Sequence, residues 1–208
     1  MYIAAPSKGD PLPASKTPTW RRFVAYAFAG AVLALADPAG SPVAPYGGLH
    51  IGAALALFGE FWRIWGCGHL RKNQAVISSG PYAHVRNPLY LGTFLILVGF
   101  CLAAGNRVVL YGLLPFALAV FFSYYTPKKE RVESDRLRRR FGEEFEVYHD
   151  AVPGYFPRLT KWKGSKPAPF SGALVVENSE IPTLVLVLLG LVVLYARNFG
   201  MIPNLLDL

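Results

Sequence analysis

The chain is short of charge. Asp, Glu, Lys and Arg make up 16% of its 208 residues, against 53% hydrophobic. An average soluble domain carries about a quarter charged residues, so this composition argues against a surface that faces water on all sides. Cysteine is scarce too. Cys67 and Cys101 both lie in apolar runs and offer neither metal-site spacing nor a disulfide framework; they read as small hydrophobes. Four histidines, His50, His69, His84 and His149, are scattered without ligand spacing, so no metal is expected. There is no Gly-rich Rossmann or P-loop fingerprint, so no soluble-type nucleotide fold is suggested. No cleavable signal peptide is expected, because the first apolar run comes late, after a start containing proline and lysine. Acidic residues number only 13 against 21 Lys and Arg, a net charge of +8. The basic residues cluster beside apolar runs, which favours an anionic membrane surface over nucleic acid as partner.

What is present is a series of long apolar runs. They extend from Trp20 to Ala36, from Tyr46 to Gly66, from Pro88 to Gly105, from Val108 to about Tyr125, and from Ile181 to Ala196. Each is near the length needed to cross a bilayer core. Asp37 and Pro38 end the first, and Gly105–Asn106 is a helix stop and restart that folds the third and fourth into a hairpin. Pro182 suits the first turn of the last. The expected class is therefore an all-α integral membrane protein of about five transmembrane helices.

Lys8, Lys16, Arg21 and Arg22 precede the first run, Arg71, Lys72 and Arg86 lie between the second and third, and a long basic segment, 128–166, follows the fourth. Only Arg107 and Arg197 fall on the other side. By the positive-inside rule the N-terminus and the two polar segments are cytosolic and the C-terminus lies opposite, as in a bacterial inner membrane. The chain then divides into a loose tail (1–19), two helices (20–66), a core (67–160), a linker (161–180) and a last helix (181–208).

Within the second run, Glu60 and Arg63 are three residues apart and share a helix face. They are either a structural pair near the cytosolic end or the lining of a substrate cavity.

Two polar segments carry the chemistry. In "GPYAHVRNPLYLG", residues 80–92, Ser79–Gly80–Pro81 marks a turn, and Asn87–Pro88 a helix start with Asn as cap. Tyr82, Asn87 and Tyr90 sit where backbone groups can meet the edges of a flat polar ligand, or else are interfacial anchors of a plain turn. The second is "KKERVESDRLRRRFGEEFEVYHD", residues 128–150. At helical spacing Lys129, Glu133, Leu137, Phe141, Phe145 and Tyr148 fall on one face. Lys129 and Glu133 thus lie at the docked end of an amphipathic helix, as ligand contacts or as an ordinary surface pair.

Together these segments resemble the isoprenylcysteine carboxyl methyltransferase family and its phospholipid methyltransferase relatives. The shared pattern is G-x-Y-x-x-x-R-[HN]-P-x-Y-x-G, a helical hairpin, and then a Glu-containing helix ending F-G-x-E-[YF]-x-x-Y. The resemblance covers roughly residues 60–160. It implies a membrane-embedded methyltransferase that uses S-adenosylmethionine, yields S-adenosylhomocysteine, and takes a lipophilic substrate from the bilayer. By position, the cofactor pocket would use Gln74, Ala75, Val76, Ile77, Tyr82, Asn87, Pro88, Leu89, Tyr90 and Glu133. Lys129 stands where the family has an arginine near the substrate, and Glu60 and Arg63 are further substrate-side candidates. Glu133 would face the cofactor's cationic end and Lys129 the substrate's polar head.

Four positions depart from the pattern: Asn87 and Gln74 replace frequent histidines, Ser134 replaces the second Glu of a pair, and Lys129 replaces the arginine. A lysine is a point charge rather than a two-pronged carboxylate clamp, so the acceptor need not be a prenylcysteine carboxylate. Two alternatives stand beside this reading. NADPH-dependent membrane reductases of the sterol-reductase type share the R-H-P-x-Y step, and an inactive scaffold of the same fold would retain the pattern.

Overall fold

The computed structural model describes residues 19–37, 47–72 and 74–203. The tail 1–18, the Pro38 stop and the expected start at Tyr46 lie outside them. Among the described residues the regular structure is helical, with no strand. Its helices are α1 (Thr19–Ala34), α2 (Gly47–Cys67), α3 (Pro88–Ala104), α4 (Val109–Phe141), α5 (Glu143–Ala151), α6 (Gly172–Glu177) and α7 (Ile181–Asn198), with a 3-10 turn at Gly80–Ala83 between α2 and α3.

The helices follow the apolar runs, yet two of them, α4 and α7, are long and apolar enough to cross a bilayer. Helix α3 is apolar throughout but has 17 residues. Helix α2 has 21, but His50, Glu60 and Arg63 interrupt its apolar character.

Helices α2 and α3 are joined by small residues. A Cβ on Gly52 would lie 2.4 Å from the Gly99 carbonyl oxygen, and one on Gly59 would lie 2.7 Å from that of Gly92. Ala56 and Ala103 complete the seam and are wholly buried. Stripes of this kind let two helix backbones touch, replacing side-chain interdigitation by close van der Waals contact. Around the seam, Val32 of α1, Leu49, Cys101, Val109, Leu191 and Leu194 form the bundle core.

Gly105 ends α3 in the left-handed region (φ 67°), and the Asn106 side chain accepts the Val108 amide at 2.7 Å to begin α4. The expected stop and restart is therefore built as read. Helix α4 differs from expectation. The fourth apolar run and the amphipathic segment are one helix of 33 residues, since Lys, Glu, Leu and Arg all sustain a helix beyond the apolar part. Two π turns widen it, Val109–Leu113 and Phe121–Tyr125. Each ends two residues before a proline, Pro115 or Pro127. A proline cannot donate to the carbonyl four residues back and would collide with it, and the widened turn relieves both problems. The Thr126 hydroxyl donates to the Phe121 carbonyl. The amphipathic helix expected over 128–150 is instead broken at Gly142 (φ 52°), so Phe145 and Tyr148 lie on α5.

A second, smaller core lies at the loop end of the bundle. Val76, Phe145, Tyr148 and Val152 are buried there with Leu137, Phe141 and Trp162 against them.

Candidate functional site

The 3-10 turn is pinned before it reaches any cavity. Gly80 takes φ 56°, and a Cβ there would lie 2.4 Å from the His69 ring. His69 Nδ1 and Ser79 Oγ share a hydrogen bond of 3.1 Å, and burial pulls the His69 pKa below its ordinary value. Tyr82 is buried beneath the turn, and the Tyr148 hydroxyl donates to its carbonyl at 2.9 Å. One hydrogen bond therefore joins the two motif segments across 66 residues of chain. Burial raises the pKa of both phenols well above the usual range, so each stays protonated.

Asn87 departs from its expected role. Its side chain does not cap α3; its Nδ2 donates to the Gly154 carbonyl at 3.0 Å. Pro88 does occupy the first turn. The neighbouring Arg86 amide donates to the Pro153 carbonyl at 2.8 Å, so the segment after α5 is fastened to the start of α3.

Between these elements lies a cavity of about 480 Å³, within the range typical of small-molecule sites. From the linker after α2 it takes Ala75, Val76 and Ile77, from the turn Tyr82, and from the start of α3 Asn87, Pro88, Leu89 and Tyr90. From α4 it takes Lys129 and Glu133. Three of the expected residues do not line it: Gln74, which is exposed on the same linker, and Glu60 and Arg63.

Arg63 is fully engaged elsewhere. Its Nε and Nη2 donate to the two carboxylate oxygens of Glu180 at 2.6 and 2.8 Å, and its Nη1 to Thr93 Oγ1 at 2.6 Å. Nη1 also reaches the carbonyl of Leu89, a cavity residue, at 3.3 Å. Glu60 lies 4.0 Å from Arg63 Nε, with neither carboxylate oxygen hydrogen-bonded among the described residues. The structure thus gives Arg63 a partner on the approach to α7 and places the pair behind the cavity wall.

Several lining residues are not among the expected site residues. Arg71, Lys72, Arg86 and Arg136 add cationic groups, and Leu70, Leu137 and Tyr148 add wall. Arg136 Nη2 binds Glu133 Oε1 at 2.7 Å, which replaces the Lys129–Glu133 pair that spacing alone would suggest. Arg86 Nη2 binds Glu130 Oε1 at 2.7 Å. The remaining Arg86 donors, Nε and Nη1, and Arg136 Nε are buried without a partner among the described residues. Buried donors left over in this way are costly. Arg86 was legible, since it stands in the R-N-P step; Arg136 had no local signal among its neighbouring arginines.

His149, which showed no ligand spacing, stands with Glu146 and Asp150 in a group whose candidate metal-ligand atoms lie within 4.8 Å of one another. Arg138 Nε already binds Glu146 Oε1 at 2.6 Å.

The cavity coincides with the part of the chain that has known relatives. The family model described as phospholipid methyltransferase matches residues 49–144. The resemblance to the isoprenylcysteine carboxyl methyltransferases and their phospholipid methyltransferase relatives therefore holds over that stretch. Two curated proteins are similar. One is the cobalt-zinc-cadmium resistance protein CzcN of Cupriavidus metallidurans, 32% identical over 115 residues, 55% of this chain and 50% of that protein. The other is the nickel-cobalt-cadmium resistance protein NccN of Alcaligenes xylosoxydans xylosoxydans, 32% identical over 114 residues, 54% of this chain and 50% of that protein. The chain thus spans about half the length of the curated relatives it matches. No solved structure matches it.

Proposed function

We propose that this chain, whose residues 49–144 match the phospholipid methyltransferase family, is a membrane methyltransferase that binds S-adenosylmethionine in the cavity beneath Tyr82 and Asn87. The observation that carries the reading is the convergence of both motif segments on that one cavity, with one carboxylate and several cationic donors in its lining.

The residues present suit such a cofactor, which carries a carboxylate, an ammonium, a sulfonium and a flat base. The guanidinium groups of Arg86 and Arg136, both in the lining, suit its carboxylate. Among the described residues Glu133 supplies the only carboxylate in the lining and suits its cationic end, and Val76, Pro88, Leu89 and Leu137 offer apolar wall. When bound, the cofactor supplies an electrophilic methyl group. The chain's own task is to hold donor and acceptor in line and to exclude water. Lys129, which has no ion-pair partner among the described residues, fits the polar head of an acceptor. The acceptor is a lipophilic molecule that arrives from the bilayer, with membrane lipids as the surrounding partners. In this reading α1, α2 and α3 join α4 and α7 as five spans, with the cavity and N-terminus cytosolic and the C-terminus opposite. The relatives' names speak of resistance to metal ions; a lipophilic acceptor is compatible with a role of that kind at the membrane.

Isothermal titration of the detergent-solubilised protein with S-adenosylmethionine and S-adenosylhomocysteine, beside NADPH, tests the proposal. Saturable binding of the sulfur compounds alone is expected. Binding of NADPH instead would favour the reductase reading, and a folded protein that binds none of the three would leave only the inactive scaffold.

A further inference from the structure

Between the second motif segment and α7 the chain crosses the loop end of the bundle, and its fastening is firm. Besides the bonds from Arg86 and Asn87 to the carbonyls of Pro153 and Gly154, the Arg158 amide donates to the His84 carbonyl at 3.0 Å. His84 Nδ1 hydrogen-bonds the Arg158 carbonyl at 2.9 Å, and the Trp162 amide donates to the Ala83 carbonyl at 2.9 Å. Further on, the Ser171 amide donates to the Gly68 carbonyl at 2.9 Å. The segment therefore runs from the start of α3 to the end of α2, along the level where both apolar helices meet the polar loops.

Two large apolar side chains stand outward between those fastenings. Phe156 is 83% exposed and Leu159 99%. Single exposed apolar residues are ordinary, but these lie three residues apart on backbone that is held in place, so they cannot fold away from solvent. Lys161 and Lys163 follow them, both exposed. Apolar tips flanked by lysines, set where helices enter their apolar stretches, match the lipid–water interface in both polarity and charge.

We infer that the Pro153–Lys163 segment is an interfacial anchor. Phe156 and Leu159 dip into the acyl boundary of the bilayer that the helices span, and Lys161 and Lys163 lie among anionic headgroups. The inference rests on the membrane-spanning reading given above. It also has a consequence for the cavity. Arg86 and Asn87 belong to the lining and hold this segment, so the anchor fixes the cavity's edge at the depth where a lipophilic acceptor would emerge.

Site-directed spin labelling of the full chain tests it, in nanodiscs of neutral lipid mixed with phosphatidylglycerol. Labels are placed singly at Phe156→Cys and Leu159→Cys, both exposed enough to leave packing intact, and at Lys163→Cys as a headgroup-level control. Val185→Cys, an exposed position on α7, reports the span itself. Collision with oxygen, which concentrates in lipid, is compared with collision with a water-soluble nickel chelate. The expected result is an oxygen-to-nickel ratio several-fold higher at 156 and 159 than at 163, approaching that at 185. A lipid-like ratio at 185 with a water-like ratio at 156 and 159 would overturn the anchor and leave the spanning reading intact. A water-like ratio at 185 as well would overturn both.

Discussion

Helices α3 and α4 both supply the site, but they are held in opposite ways. Helix α2 lies against α3 with almost no side chain between the two backbones, at Gly52, Ala56, Gly59, Gly92, Gly99 and Ala103. No residue of the α4 stretch Leu114–Val120 is buried, and the helix leans on α3 chiefly through rings. Phe94 meets Phe121 and Phe122, and Tyr90 meets Tyr125. The start of α3, which bears Asn87, Pro88 and Leu89, is thus fixed by a seam that tolerates no added atom. Lys129 and Glu133 ride on a helix with two widened turns and room around its middle. One wall of the cavity is therefore rigid, and the other stands on a helix that is packed more loosely along its middle and is the more open to adjustment.

The seam should be the most sensitive place in the molecule. A Cβ on Gly99 would come within 2.6 Å of both the Ala56 amide nitrogen and the Gly52 carbonyl oxygen. Those are backbone atoms that cannot swing aside, so Gly99→Ala should cost about 3 kcal/mol. The check is the thermal melt of the detergent-solubilised protein, which should fall sharply. An unchanged melt would mean that the two helices are not in backbone contact.

The adjustable wall should respond in binding rather than in folding. Glu133 is partly exposed and, among the described residues, paired only to Arg136. Glu133→Ala should therefore leave the melt nearly unchanged while weakening S-adenosylhomocysteine by about 2 kcal/mol, or roughly thirtyfold. Titration reads this directly, and unaltered affinity would remove Glu133 from the site. Tyr148→Phe falls between the two kinds of effect. It deletes the hydrogen bond to the Tyr82 carbonyl, leaves a buried acceptor unpaired, and should lower stability by about 1 kcal/mol in the same melt.

The same contrast explains what could be read from the sequence. Apolar runs located the helices, because burial or lipid contact demands continuous hydrophobicity, and the glycine–asparagine break was plain. The spans were less legible, since run length alone does not weigh the charges inside α2 or the 17 residues of α3. The unbroken course of α4 into its charged half was hidden, because Pro127 looks like a stop unless a π turn accommodates it. Most cavity residues came from the motif resemblance, which works where a pattern is local. What it missed was long-range. Nothing near Arg63 in the sequence announces Glu180, 117 residues away, and that partner is what engages the Arg63 guanidinium.

The smallest effect should also carry the opposite sign. Gly112 lies on α4, in the first π turn, and a Cβ there would meet nothing within 4 Å. Glycine in a helix forfeits about 1 kcal/mol relative to alanine, because the unfolded chain has more freedom to lose. Gly112→Ala should therefore raise stability by up to about 1 kcal/mol, while the identical change at Gly99 lowers it severalfold more. Measured side by side, the two melts isolate packing from backbone entropy, since the added methyl group is the same. If Gly112→Ala proved as damaging as Gly99→Ala, α4 would have to be closely packed along its middle, and the cavity would have two rigid walls instead of one.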